Sequence, residues 1–236
     1  HATWLKRALR YLKRTQYDKL RYTKGSFVDD EHQEKHTPIA NHFRKVSSQS
    51  HKLKVLCGFT DANHANAREA ERRSISGFCF FLYGNLITWK SKTQPITAAS
   101  THEAELIALS SAADEALWMR NLLTEVGIEI KDPVPIMCDN QGTVFTVHNP
   151  YINHRSKHLD IRYFRARQHI RKELIDVFYC PTALNLSDFF TKSLGTEHFH
   201  SFRDLIMNTN PDIREEWRVD GDKQRAILLA EKQLAI

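Results

Sequence analysis

Val55-Leu56-Cys57-Gly58-Phe59-Thr60-Asp61-Ala62-Asn63 reads as a short buried strand that ends on a single carboxylate. Apolar residues dominate from Val55 to Phe59, with Lys52 and Lys54 ahead of them. Asp61 then falls where the strand leaves its sheet. A carboxylate at a strand end is held rigidly and faces solvent, which suits a metal ligand. It equally suits a turn that begins Asp61-Ala62-Asn63, and such turns are common. The remainder of the chain separates the two readings, because it places three more acids in matching settings.

Downstream, Ala65 to Arg73 is a charged loop, and Ile75 to Tyr83 is a second strand rich in Phe. Gly84-Asn85 predicts a tight turn, and Leu86 to Lys90 returns as a third strand, completing an antiparallel meander. Ser100 or Thr101 is placed to cap a helix whose first turn holds Glu103 and Glu105. That helix runs to about Val126, with Leu106, Leu109, Ala113, Leu117 and Leu123 inward, and Gly127 stops it. Val134 to Cys138 is a short strand ending at Asp139, and Asn140 to His148 is a short helix closed by Asn149-Pro150. Ser156 to about Glu173 is a basic helix carrying Lys157, Arg162, Arg165, Arg167, Arg171 and Lys172. Leu174 to Tyr179 is a fifth strand, and Asn185 to Lys192 is a helical turn with Asp188. The order β-β-β-α-β-α-α-β-α predicts an α/β fold, a mixed sheet with helices on its faces.

The flanks are read separately. Residues 1–24 form a basic amphipathic helix and an extended piece. Trp4, Leu5, Ala8, Leu9, Tyr11 and Leu12 make its apolar side. Lys6, Arg7, Arg10, Lys13 and Arg14 make the other, either a solvated face or a phosphate contact. Residues 25–52 are polar, rich in His and Ser, and expected to be a linker. His32, His36 and His42 lie there with no Cys nearby, so a metal site is the weaker reading. The core domain is expected over 53–195, and 196–236 as a helical extension.

With 236 residues, 41% of them hydrophobic, a real core is expected and global disorder is excluded. The net charge of +6 and the pI of about 9.1 favour a polyanionic partner. Cys57, Cys79, Cys138 and Cys180 are widely spaced without a C-x-x-C pair, which speaks against a zinc knuckle or a secreted disulfide framework. There is no signal peptide and no long apolar span, so a soluble intracellular protein without a membrane partner is expected. His1 in place of Met leads to the expectation of a piece of a longer protein.

Four acids sit at element ends: Asp61, Glu105, Asp139 and Asp188. Adjacent strand ends and facing helices can bring them together at one sheet edge. Four such carboxylates cannot all stay ionised without counter-charge. Two divalent cations about 3.5–4 Å apart would supply it, for in-line displacement at phosphorus. Hard oxygen ligands point to Mg²⁺ or Mn²⁺.

The ordered runs G-F-T-D-A (58–62), R-R-S-I-S-G-F (72–78), I-T-W-K-S-K-T-Q-P (87–95), S-T-H-E-A-E-L-I-A-L (100–109), C-D-N-Q (138–141), K-H-L-D-I-R-Y (157–163) and L-S-D-F-F-T-K (186–192) carry a resemblance. Together they resemble the ribonuclease H domain of copia-type LTR retrotransposon polyproteins. R-A-L-R-Y-L-K-R-T (7–15) is similar to the end of the preceding reverse transcriptase region. The resemblance implies a ribonuclease H-like five-stranded mixed sheet with helices on both faces. It implies cleavage of the RNA strand of an RNA–DNA hybrid, with two Mg²⁺ or Mn²⁺ ions held by Asp61, Glu105, Asp139 and Asp188. It also implies a reverse transcriptase portion of the same polyprotein as partner, and a virus-like particle in the cytoplasm, or the nucleus, as location. Glu103 competes with Glu105, but residues two apart do not share a helix face. Glu105 directly precedes the apolar run, as in the family pattern, which leaves Glu103 as a helix-start acid.

The chain departs from the family at His64, where Trp is usual, and at S-T-H before the E-A-E run. The mobile catalytic His of cellular ribonucleases H has no clear counterpart; His158 lies in the K-H-L-D-I-R-Y run, where a packed or helix-surface histidine is the stronger reading. For substrate, the basic helix with Arg155, Lys157, Arg162 and Arg165 is the candidate phosphate face. Asn140 and Gln141 are candidates for sugar or base edges, and Arg72 and Arg73 for the opposite strand. Two alternatives stay open: an integrase-like strand transferase using Asp61, Asp139 and Glu173, and a non-catalytic nucleic-acid-binding module.

Overall fold

Leu56–Asn63 (β1) is buried along all but its last residue, and its side chains alternate between two cores. Ile75–Leu82 (β2) runs antiparallel to it and Asn85–Thr93 (β3) antiparallel to β2. Val134–Cys138 (β4) lies parallel to β1 on its other side, and Ile175–Tyr179 (β5) parallel to β4. The sheet order is therefore β3-β2-β1-β4-β5. This computed structural model describes residues 2–22, 38–46, 55–64, 73–149 and 161–209.

The turn between β2 and β3 sits one residue earlier than the Gly84-Asn85 reading. Tyr83 and Gly84 have φ of 47° and 77°, and Asn85 already pairs with Leu82. Two successive positive φ values match the twist of the flanking strands, which is what a two-residue hairpin loop requires.

Helices cover both faces. On one side lie Thr101–Glu125 (α3), Gln141–His148 (α4) and Ile161–Arg171 (α5). Phe78 and Phe80 of the sheet meet Leu106, Leu109, Val147 and Ala166 there. On the other, Pro38–Val46 (α2) and Thr196–Ile206 (α7) close over Phe59 and Phe81 with Ile39, Phe43, Phe202 and Ile206. Strands buried on both faces read as continuous apolar runs, which explains the Cys57 to Phe59 and Phe78 to Leu82 stretches. This is the ribonuclease H-like α/β arrangement that the resemblance implies.

Two flanking expectations change. The stretch 25–52, read as linker, contains α2, with Ile39, Phe43 and Val46 buried at helical spacing. Its His42 is packed against Phe43, Phe59 and Phe202, with Nε2 3.0 Å from the Leu184 carbonyl. Burial there lowers its pKa to about 4, so it is a neutral core residue; His32 and His36 lie outside the described residues. Ala2–Arg14 (α1) is helical as expected, but Leu5, Leu9 and Leu12 are exposed while Tyr11 packs edge-on to Phe199. Of the basic helix, 161–171 is described as α5 and 156–160 lies outside the described residues.

Candidate active site

Strand register brings two of the acids together. Thr60 of β1 pairs with Cys138 of parallel β4, so the next residues, Asp61 and Asp139, stand side by side where β4 ends; β1 itself continues beside β2 to Asn63, so Asp61 lies within the strand and not, as expected, at its end. Across from Asp61 stands Gly77 of β2. A Cβ at Gly77 would come within 2.5 Å of the Thr191 methyl, so the missing side chain admits Thr191, whose hydroxyl donates to Asp61 Oδ2. Asp188 opens a short helix, Asp188–Thr191 (α6). Asn185 fastens that segment to the sheet, donating from Nδ2 to the Thr60 carbonyl at 3.0 Å.

The start of α3 separates the two glutamates. Ser100 Oγ accepts from the Glu103 amide at 3.1 Å, and Glu103 Oε2 accepts from the Ala99 amide at 2.6 Å. These two bonds engage Glu103 with the helix end, in a variant of the capping box whose return bond comes from the residue before the cap. Glu105, two residues on, is only 4% exposed and accepts a backbone hydrogen bond from Ala62.

Ligand atoms of Asp61, Asp139 and Asp188 lie within 4.8 Å of one another, and so do those of Glu105, Cys138 and Asp139. Asp139 is common to both groups. Burial, then the Asp61 and Asp139 charges, push the Glu105 carboxyl up to about 9. Asp188 rises to about 6, from burial first and then the Asp61 charge. Burial also raises Asp61, although Lys192 and Thr191 oppose the shift. Lys192 Nζ bridges the first group, 3.0 Å from Asp61 Oδ1 and 2.9 Å from Asp188 Oδ1. Burial works against its charge, but these two carboxylates more than offset it and keep the ammonium protonated.

These residues fit a divalent cation. The donors are hard carboxylate oxygens, and Glu105 Oε2 is buried without a hydrogen-bond partner.

Other expected site residues are scattered. Arg72, Arg155, Lys157 and His158 lie outside the described residues, and Arg162 is placed on α5 by its backbone alone. Arg73 is half-buried just ahead of β2. Arg165 is exposed and pairs with Asp114 at 3.0 Å. Asn140 caps α4, its Oδ1 accepting from the Thr143 amide at 3.0 Å, and Gln141 is exposed beside it. Arg167, part of the basic run, turns inward and donates to the Thr146 carbonyl at 2.7 Å. His64, in the place of the usual Trp, has Nε2 3.2 Å from the Ala98 carbonyl. Glu173 precedes β5, at the end of the parallel pair opposite to Asp139. A five-residue strand advances about 3.3 Å per residue, so Glu173 cannot share a metal with Asp139. The sequence reading missed Lys192, although its i,i+4 spacing from Asp188 was a visible signal. It also missed Thr191 and Asn185, whose contacts are long-range and leave no local signal.

No protein-family model matches the chain. The Retrovirus-related Pol polyprotein from transposon TNT 1-94 of Nicotiana tabacum is 34% identical over 157 residues, covering 66% of this chain and 12% of that protein. The Retrovirus-related Pol polyprotein from transposon RE1 of Arabidopsis thaliana is 32% identical over 151 residues, covering 64% of this chain and 10% of that protein. The chain is homologous to a segment of copia-type transposon Pol polyproteins. The chain spans about a tenth of the length of those relatives. Among solved structures, LC11-RNase H1 isolated from compost is similar at 17% identity with a TM-score of 0.45, over 58% of this chain and 92% of that chain. The foamy viral protease-reverse transcriptase in complex with RNA/DNA hybrid is similar at 15% identity with a TM-score of 0.44, over 70% of this chain and 21% of that chain. The strand order and register described above, rather than these distant likenesses, carry the fold assignment.

Proposed function

We propose that this chain is a ribonuclease H that hydrolyses the RNA strand of RNA–DNA hybrids for a retrotransposon. The observation that carries the reading is Asp139, shared between two groups of ligand atoms that together contain Asp61, Glu105 and Asp188. Asp61, Glu105, Asp139 and Asp188 would hold two Mg²⁺ or Mn²⁺ ions. Such ions, when bound, activate a water for in-line attack at phosphorus and stabilise the leaving oxygen. The chain's own residues prepare the site. Thr191 fixes the rotamer of Asp61, and Lys192 keeps Asp61 and Asp188 together against their mutual repulsion. Asp139 is half-buried and marks the open side, where the backbone of a hybrid would approach. Arg72, Arg73, Arg155, Lys157, Arg162 and Arg165 are the proposed phosphate contacts, with Asn140 and Gln141 beside the cut. The reverse transcriptase portion of the same polyprotein is the proposed partner, in a virus-like particle or the nucleus.

The test is incubation with labelled RNA–DNA hybrid, single-stranded RNA, double-stranded RNA and double-stranded DNA, each with Mg²⁺ or Mn²⁺. The expected result is metal-dependent cutting of RNA in the hybrid alone. Joining or nicking of DNA would transfer the assignment to strand-transfer chemistry. Tight hybrid binding without cleavage under either ion would make the chain a binding module.

A further inference from the structure

The two groups of ligand atoms differ in chemistry. Asp61, Asp139 and Asp188 are all carboxylates, and two of them already hold the Lys192 ammonium. The other group, Glu105, Cys138 and Asp139, contains a thiol. Cys138 ends β4 on the face that α3 covers, and it is completely buried. Its Sγ is 4.0 Å from the Asn140 carbonyl. Glu105 is 4% exposed, and its unpartnered Oε2 lies in the same group. Among the described residues, no salt bridge neutralises Glu105 or Asp139.

We propose that Glu105, Cys138 and Asp139 form a cation position selective for thiophilic divalent ions, Zn²⁺ or Cd²⁺, and that such an ion inhibits the nuclease. Zinc binds thiolate at about 2.3 Å and carboxylate at about 2.0–2.2 Å. A tetrahedral ion at those lengths sets its ligand atoms about 3.3–3.5 Å apart, so atoms that lie within 4.8 Å of one another share one ion after side-chain rotations that close them by up to about 1.5 Å. Magnesium has no preference for sulfur, whereas zinc and cadmium do. Binding transfers the thiol proton to solvent and leaves the sulfur as thiolate ligand. The half-buried side of Asp139 leaves room for water as a further ligand. The bound ion occupies Glu105 and Asp139 and so withholds them from magnesium. The inhibition rests on the proposed function; the binding does not.

The experiment titrates the metal-free full chain with Cd²⁺ and follows the near-ultraviolet spectrum. The expected result is a saturable thiolate-to-metal charge-transfer band that is lost in Cys138→Ser and Cys138→Ala and kept in Cys57→Ser, a buried thiol in the opposite core. A wild-type chain without the band, or a band that survives at Cys138→Ser, overturns the site. If the Cys138 variants fail to fold by circular dichroism, X-ray absorption of Zn²⁺ on the wild-type chain decides. One sulfur among oxygen ligands supports the site, and oxygen or nitrogen alone overturns it. In the cleavage assay, micromolar Zn²⁺ should suppress Mg²⁺-supported cutting at least about tenfold more strongly in the wild type than in Cys138→Ser. Equal suppression overturns the inhibitory role. A chain that cuts no hybrid refutes the nuclease reading, while the charge-transfer band still decides the ion site.

Discussion

Burial raises the Glu105 carboxyl to about 9, and the neighbouring Asp61 and Asp139 charges add to it. A carboxyl that is harder to ionise in the folded than in the unfolded chain makes stability fall as pH rises. For Glu105 that contribution is complete below the ordinary pKa of 4.5 and is lost progressively as pH climbs to about 9. Thermal melts of the metal-free wild type and of Glu105→Gln should therefore diverge with rising pH, the variant becoming relatively more stable. Saturating Mg²⁺ should shrink the divergence by supplying the counter-charge; parallel melting curves from pH 5 to 9 would contradict this. Lys192 predicts the converse. Removing one partner of a buried pair strands the other charges. Lys192→Met should cost about 1–3 kcal/mol in metal-free denaturant unfolding, the lower range reflecting a partly exposed ammonium. Mg²⁺ should restore part of that loss, and an unchanged unfolding midpoint would count against the ion pair. At this scale Asp61 and Asp139 were legible because each follows an apolar run, and Glu105 because it directly precedes one. The inward turn of Arg167 was not, because a helical basic residue looks the same in sequence whether it meets solvent or a carbonyl.

The elements that hold the site were legible in unequal measure. Strands β1 and β2 announce themselves through unbroken apolar runs, and α3 through its cap and its length. Helix α2 does not, because Ile39, Phe43 and Val46 are separated by polar residues in a His- and Ser-rich stretch. Its contribution is nonetheless structural. The Phe43 ring meets Phe59 at 5.6 Å and Phe81 at 5.3 Å between centroids. Phe43→Ala should destabilise the fold by about 3–5 kcal/mol through lost burial and the cavity left behind. Chemical denaturation checks this, and a loss below 1 kcal/mol, on the order of a surface change, would place α2 outside the core. The hairpin turn shows a different limit: Gly84 identified it, but strand pairing, not local sequence, put Tyr83 before it rather than Asn85 after it as the other central residue.

Across the whole molecule, the net charge of +6 favours a phosphate backbone, and the proposed active site would meet that backbone at one edge of the sheet. A few lysine and arginine contacts to a hybrid release counterions, so affinity falls steeply with salt. Between 50 and 200 mM salt, hybrid binding should weaken by about tenfold to a hundredfold in a fluorescence anisotropy titration. Salt-independent binding would refute backbone-led recognition. The topology was readable from element order, because three strands in a meander followed by alternating helices and strands leave few mixed sheets. The meeting of Asp61 with Asp139 was readable only as a possibility, since it depends on the Thr60–Cys138 register. The contact of Lys192 with Asp61, across 131 positions of sequence, needed the folded chain.

The most direct measurement is Mg²⁺-dependent cleavage of a labelled RNA–DNA hybrid by the wild type, Asp61→Asn and Asp139→Asn, with hybrid affinity measured in parallel. The carboxylate centre predicts that each variant loses at least about a hundredfold in cleavage rate while its affinity changes little. Either variant cutting at the wild-type rate would contradict the assignment of the centre.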